Sequence, residues 1–510
     1  MIDVIFVTPN NSKKIYQGLS KKVSAIEPPT WSLILADGCR KKGFKVQILD
    51  TLAENLNLEE SAKKIKDSNA RLICFVVYGQ NVNAGTTSMS GATNLANKIK
   101  EQTPDSLIGF IGSHVQALPY ETLKKEKSID IVFANEGYYS LIELLNKKNL
   151  KDELESVNGI FFRKNNDIIF SSNPKSVPSN KLDEELGGYA WDLLPYKKKP
   201  FDLYRSPYWH AEYNENFRSP YAALQTSIGC QFGCEFCMIN IINRTDDQNI
   251  GVASDYSGMR WWSVENTINN IKKLIDQEIF TIRFVDEMFL LNPKYYIPLC
   301  EKLSELNKND KFRFWAYSRI DTIKKYETLR LLRKAGFKWL CLGIESGSKK
   351  VRMEVSKGKF EDVNISEIVK KVHQADIEIM ANYIFGLPGD NIESMNKTLN
   401  LSLDLCTSGW NGYPAMALPG SKLYKDAKER GYTLPENYED YSFHSYTTFP
   451  LKNENLENYE ILKFRDWAFK KYHNDKNFQN RIKSKYGVKA LENIKEINKI
   501  DLKRKIYEIN

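Results

Sequence analysis

The stretch Ala223-Leu224-Gln225-Thr226-Ser227-Ile228-Gly229-Cys230-Gln231-Phe232-Gly233-Cys234-Glu235-Phe236-Cys237 decides how the whole chain is read. It opens as a short apolar run of strand character and breaks at Gly229 into a loop that carries three thiols in eight residues. From composition alone, roughly 0.002 such triplets are expected in a chain of this length. Thiolates are the preferred ligands of iron–sulfur clusters, and three of them leave one iron of a 4Fe-4S cluster open to another ligand. Gly229 and Gly233 allow the loop to curl so that three sulfurs converge. A structural zinc site wants four protein ligands, and no nearby His or Cys completes one.

Outward from this loop, strand-like runs alternate with amphipathic helical segments. After 223–228 come TIRFVD (281–286), FRFWAYS (312–318), WLCLGI (339–344), IMANYIF (379–385) and NGYPAMA (411–417). Six such βα units predict a partial or full parallel barrel over 221–430, with its chemistry at the C-terminal strand ends. The tail, 431–510, is charged and helical, and is either a cap over the barrel mouth or a solvated appendix.

Upstream, residues 1–150 carry five more apolar runs: VIFV (4–7), VQILD (46–50), LICFVVY (72–78), LIGFIG (107–112) and DIVFA (130–134). Runs without alternation suit parallel strands buried on both faces, so a doubly wound, Rossmann-like α/β domain is expected. Ligands of that fold lie at the carboxyl ends of the strands. Those ends hold Asn10, then Tyr78-Gly79-Gln80-Asn81, then Gly112-Ser113-His114, then Asn135-Glu136-Gly137. Small and polar residues there suit a large ligand, and ordinary turn chemistry would place them there as well. Residues 151–220, with a hairpin pattern at 159–172, read as a linker.

Composition excludes several classes. The chain has 510 residues, 42% hydrophobic, too long for one core. No apolar run reaches the roughly 18–20 residues of a membrane span. The opening MIDVIFVTPN lacks a secretory pattern, so a cytoplasmic protein is expected. The net charge of +9 is spread among acids and is read as a solvated surface, not a nucleic-acid face. The other five cysteines, Cys39, Cys74, Cys300, Cys341 and Cys406, are scattered.

The spacing C-x3-C-x2-C, with an aromatic before the last Cys, resembles the radical S-adenosylmethionine superfamily. So do Phe284-Val285-Asp286-Glu287, Tyr317-Ser318-Arg319-Ile320-Asp321, Gly343-Ile344-Glu345-Ser346-Gly347-Ser348, Phe385-Gly386-Leu387-Pro388-Gly389-Asp390 and Leu418-Pro419-Gly420-Ser421, each at a predicted strand end. The resemblance implies that Cys230, Cys234 and Cys237 hold the cluster. It further implies that Phe236, Asp286, Glu287, Arg319, Glu345, Ser346, Gly386 and Pro388 surround S-adenosylmethionine. The upstream domain resembles the cobalamin-binding domain of the cobalamin-dependent class, through Glu27-Pro28-Pro29-Thr30-Trp31, Leu49-Asp50, Gly112 to Pro119 and Ala134 to Gly137. Its strand-end residues named above are then the cobalamin contacts. No Asp-x-His-x-x-Gly loop occurs, so His114 is expected near the corrin but not on cobalt.

Such proteins imply methylation of an unactivated carbon of a small molecule, through a 5′-deoxyadenosyl radical and methylcobalamin, with electrons from a flavodoxin or ferredoxin. The competing expectations are a cyclisation, oxidation or rearrangement without net methylation, and a non-catalytic corrinoid or cluster sensor. Asn240, Asn243, Arg244 and His444 are further polar candidates near the cofactors or substrate.

Overall fold

In the computed structural model, the described residues are all except 11, 22–24, 79–81, 173–174, 196–200, 206–219, 240, 242–257, 357–359, 361 and 510. Gly79, Gln80, Asn81, Asn240, Asn243 and Arg244 therefore lie outside the described residues.

The first sheet contains β1 (Ile2–Thr8), β2 (Val46–Asp50), β3 (Ala70–Val76), β4 (Ile108–Ile111), β5 (Ile131–Phe133), β6 (Ile160–Lys164) and β7 (Asp167–Phe170). Its order is β2-β1-β3-β4-β5-β6-β7. The first five are parallel, as their unbroken apolar runs require. Alternate residues of β1 show why: Val4 and Phe6 enter the core on one face, Ile5 and Val7 the core on the other. The hairpin expected within the linker is instead the edge of this sheet, with β6 pairing antiparallel to β5. Arg163 anchors it by donating to the carbonyls of Leu123 and Glu126.

The second sheet is a six-stranded parallel set that winds in chain order. It comprises β8 (Ala222–Leu224), β11 (Thr281–Phe284), β12 (Arg313–Arg319), β13 (Phe337–Glu345), β14 (Glu378–Phe385) and β15 (Gly409–Pro414). A short antiparallel pair, β9 (Ser227–Ile228) with β10 (Arg260–Trp261), follows β8. The barrel is thus a partial (β/α)6, open between β8 and β15. Its helices bury one stripe. In Tyr326–Ala335, for example, Leu329, Leu332 and Ala335 face the sheet, and Gly336 at φ 113° ends the helix in the left-handed region.

The C-terminal helices are a packed cap, not an appendix. Ile461, Phe464, Ala468 and Tyr472 of helix Asn458–His473 enter the barrel core. Phe464 sits 5.4 Å from Phe385, and Tyr472 sits 5.5 Å from Trp410, ring to ring. No helix among the described residues is long and apolar enough to cross a membrane.

Polar contacts tie the first domain to the segments that follow it. Arg260 Nη2 lies 2.6 Å from Glu136 Oε2, with the two side chains only 4% and 3% exposed. Tyr204 donates to Asp50 at 3.0 Å. Tyr438, from the cap, donates to Glu126 of the first domain at 2.8 Å.

Candidate active site

One cavity of about 1110 Å³ lies where the carboxyl ends of both sheets meet under the C-terminal cap. All three cysteines of the quoted loop line it. Cys230 accepts from the Phe232 backbone N–H at 3.4 Å, and the Cys237 N–H bonds the Cys234 carbonyl in a tight turn. The loop is clamped from outside. Glu235 N–H bonds Val355 O, Leu423 N–H bonds Glu235 O, and Asn83 of the first domain receives the Met238 N–H and donates to Cys237 Sγ at 3.5 Å. Burial pushes the Cys230 thiol up to about 12 and the Cys234 thiol up to about 11. Metal must therefore displace protons when it binds there.

Around the thiols, adjacent residues of one strand end take opposite fates. Glu287 lines the cavity, and burial raises its carboxyl to about 7. Asp286 does not line it. The side chain is fully buried, and its Oδ1 accepts from Thr226 N–H, Thr226 Oγ1 and Ser227 Oγ. It therefore pins the strand that leads into the cysteine loop. Glu345 lines the cavity at φ 66°, beyond a register shift against β14, and burial raises it to about 7. A non-glycine residue in that region is strained, as often happens where a side chain is aimed at a ligand. Ser346, one residue on, turns inward to Thr398 Oγ1 at 3.2 Å and accepts the Ser348 N–H. Neither Ser346, Gly386 nor Pro388 lines the cavity. Gly386 donates to Asp390, and a Cβ there would meet Ile461 at 2.6 Å.

Arg319 lines the cavity and clamps Asp321 through two 2.6 Å bonds. Its guanidinium stacks on Phe232 at 3.8 Å, and its Nη1 is 4.0 Å from Cys234 Sγ. Phe236 lines the cavity against Val351, Ile384 and Leu387.

The first domain lines the cavity largely with residues other than those its strand-end pattern suggested. Tyr78 lines the cavity, stacked on Trp31 at 5.3 Å, and donates to the Asn135 carbonyl. Thr8, Pro9, Asn83, Thr87 and Ser88 join them, while Asn10, Gly112, Ser113, His114, Asn135, Glu136 and Gly137 do not line the cavity. Gly112 is needed for close approach, since a Cβ would sit 2.5 Å from the Val77 carbonyl. Ser113 donates to Val82 O, and Asn135 Nδ2 donates to Ser176. His114 is turned onto Thr86 Oγ1 at 3.1 Å beneath the Tyr438 ring. Sequence motifs offered no signal for Asn83, Arg283, Asn382 or Asn411, each of which lines the cavity.

Burial lowers His114 from 6.5 to about 3. The unfolded chain takes up this proton below pH 6.5 while the native chain resists it, so the histidine's contribution is lost as pH falls toward 3. Relative to His114→Gln, wild type should lose about 1.4 kcal/mol of stability per pH unit between 6 and 4. Urea denaturation of both proteins checks this, and a difference independent of pH would disprove it.

A family model for the Radical SAM superfamily matches residues 224–402, and a model for the B12 binding domain matches residues 16–145. The chain thus carries a Radical SAM domain preceded by a B12-binding domain. Its cofactors are a 4Fe-4S cluster with S-adenosylmethionine, and cobalamin. It is 24% identical to an uncharacterized methyltransferase of Pyrococcus horikoshii over 87% of this chain and 86% of that one. It is 21% identical to the anaerobic magnesium-protoporphyrin IX monomethyl ester cyclase of Cereibacter sphaeroides, over 90% and 68%. The fold matches that of OxsB, a cobalamin-dependent S-adenosylmethionine radical enzyme, with TM-score 0.66 and 15% identity over 95% of this chain and 68% of that one.

The radical SAM cofactors fit the residues present. Among the described residues, no three His, Cys, Asp or Glu side chains close on a point that a single metal ion would fill. Three thiols spread around a common cavity wall instead suit a multi-iron cluster, which is wider than one ion. The stacked Trp31–Tyr78 pair, which lines the same cavity as the cluster loop, suits a broad planar ligand.

Proposed function

We propose that this protein methylates an unactivated carbon of a small molecule. The observation that carries this reading is the convergence of both cofactor domains on one cavity, lined by the three cysteines and by Trp31 and Tyr78. When bound, the cluster supplies the electron that cleaves S-adenosylmethionine, and cobalamin supplies the methyl carrier.

The chain's own part is positioning and exclusion of water. Cys230, Cys234 and Cys237 hold the cluster. Arg319, stacked on Phe232 beside Cys234, places positive charge next to it. Glu287 and Glu345 are the carboxylates available to the ammonium or ribose hydroxyls of S-adenosylmethionine, and Phe236 is the apolar wall for its adenine. Asp286, Ser346, Gly386 and Pro388 act one layer behind by shaping the strand ends. In the first domain, Gly112, Ser113, Asn135, Glu136 and Gly137 do the same for the corrin site. Reduction of the cluster calls for an external donor such as flavodoxin or ferredoxin, and a cytoplasmic setting goes with that.

Turnover with methyl-labelled S-adenosylmethionine, followed by mass spectrometry, tests the reading. Labelled product with 5′-deoxyadenosine is expected. Formation of 5′-deoxyadenosine with unlabelled product would favour a cyclisation, oxidation or rearrangement without net methylation; the Cereibacter relative is named a cyclase. His114 is the sole histidine before residue 200, and it faces Thr86, outside the cavity. Bound cob(II)alamin is therefore expected to lack nitrogen splitting from His114 in paramagnetic resonance; among the described residues His444 and His473 of the C-terminal cap do line the cavity, so splitting that disappears in His114→Gln is the result that would sink this reading.

A further inference from the structure

The interior of the barrel carries a polar pair that cofactor binding does not account for. Asn382 of β14 and Asn411 of β15 lie directly opposite each other in the strand register. Asn411 Nδ2 donates to Asn382 Oδ1 at 3.0 Å, and Asn382 Nδ2 donates to Cys341 Sγ, also at 3.0 Å. All three line the cavity, and both asparagines are half-buried. Asparagine is a poor strand residue, and a half-buried amide is costly unless it is paired. The neighbours on the two strands, Met380, Ala381, Tyr383 and Trp410, are apolar or aromatic. Backbone pairing from Met380 to Phe385 already holds β14 to β15, so the amides are not needed to join the strands.

We propose that Asn382 and Asn411 form the substrate-recognition edge of this cavity, and that the substrate is an uncharged molecule presenting a donor–acceptor edge, such as a carboxamide or lactam, on an apolar body. This rests on the reading of the site as a radical SAM active site.

The hydrogen-bond inventory supports an amide-like partner. Each primary amide has two N–H donors and an oxygen with two lone pairs. The bonds above use one donor on each asparagine and one lone pair of Asn382. What remains is an N–H on each residue and acceptor capacity on both oxygens. Turning either amide over exchanges its ends but still leaves a donor and an acceptor on offer.

The charges around the cavity argue against an anionic substrate. Among the described residues that line it, each cationic side chain is matched by a carboxylate. Arg283 pairs with Glu27, Arg319 with Asp321 and Lys470 with Asp501, while Arg465 shares Asp466 with Arg504. A phosphate or carboxylate would have to break one of these pairs or sit beside Glu287 and Glu345. From the C-terminal cap, Ile494, Ile497, Ile500 and Leu502 line the cavity, offering an apolar surface to the rest of the molecule.

The test uses the reconstituted holoenzyme with S-adenosylmethionine present. The probes are 2-naphthylacetamide and 2-naphthylacetate, which share a body and differ in the end group. Their dissociation constants are measured by calorimetry for wild type, Asn382→Leu and Asn411→Leu. The amide is expected to bind wild type at least about 10-fold tighter than the acid, with that ratio collapsing in both variants. Equal binding, preference for the acid, or binding of neither probe to wild type overturns the proposal. So does a ratio unchanged in the variants. If a leucine variant fails to fold, Asn411→Asp, which keeps the shape, should weaken the amide about 10-fold; unchanged affinity again overturns it. Release of 5′-deoxyadenosine by wild type is measured alongside. Its absence with the amide preference intact would count against the radical reading alone; its presence without the preference would count against this proposal alone.

Discussion

Replacing any one of Cys230, Cys234 and Cys237 with alanine is expected to remove the cluster and lower 5′-deoxyadenosine formation by about a thousand-fold or more, to background. That corresponds to about 4 kcal/mol or more of lost barrier reduction. The three thiols come from one clamped loop and face one cavity, so two of them cannot share the work of three. Leu423 N–H and Val355 O hold Glu235 from either side, which prevents the loop from moving a substitute ligand into place. Of the remaining cysteines, Cys39, Cys74 and Cys300 are buried in apolar cores, and Cys341 is a barrel-wall thiol held by Asn382. Iron analysis and product assay of each variant check the expectation. Full iron content and S-adenosylmethionine cleavage in any single variant would refute the assignment. Cobalamin should still bind, because the Trp31–Tyr78 wall belongs to the other domain.

The second large effect concerns the joint between the domains. Arg260→Ala is expected to destabilise the protein by about 3–5 kcal/mol, because it strands a buried carboxylate. Arg260 holds Glu136 through Nη1 at 3.1 Å and Nη2 at 2.6 Å, and Glu136 also accepts the Val177 N–H. The pair ties β10, beside the cysteine loop, to the end of β5. Losing it should also loosen cobalamin, since the two cavity walls would no longer be held to each other. Urea denaturation of the full chain measures the first effect and equilibrium dialysis of cobalamin the second. Removing both charges, in Glu136→Gln with Arg260→Met, should recover most of the stability, since a paired buried charge contributes little beyond its own desolvation. If Arg260→Ala costs less than about 1 kcal/mol, the joint is not held this way.

Much of the architecture was legible because it depends on local composition. Unbroken apolar runs such as VIFV and LICFVVY can only be satisfied by burial on both faces, which is the environment of a parallel strand under two layers of helix. Six further runs separated by amphipathic helices led to the barrel, and the cysteine spacing led to the cluster. The hairpin at 160–170 was legible as a hairpin, but not as part of the first sheet. Its partner β5 is nearly thirty residues earlier in the chain, and only their meeting in space supplies the edge.

The three cysteines themselves were determined by the sequence, because thiol chemistry and loop spacing are local properties. Which neighbours serve the cavity was decided by the tertiary structure. Asp286 and Glu287 are adjacent acids of one motif. Both lie in the turn after β11, where one is consumed by Thr226 and Ser227 while the other reaches the cavity. The register shift between Gly343 and Glu345 likewise aims Glu345 inward and buries Ser346 against Thr398. Asn83, Arg260, Asn382 and Asn411 carried no motif at all. Their roles arise from partners far away in the chain, and only packing brings those partners within hydrogen-bonding distance.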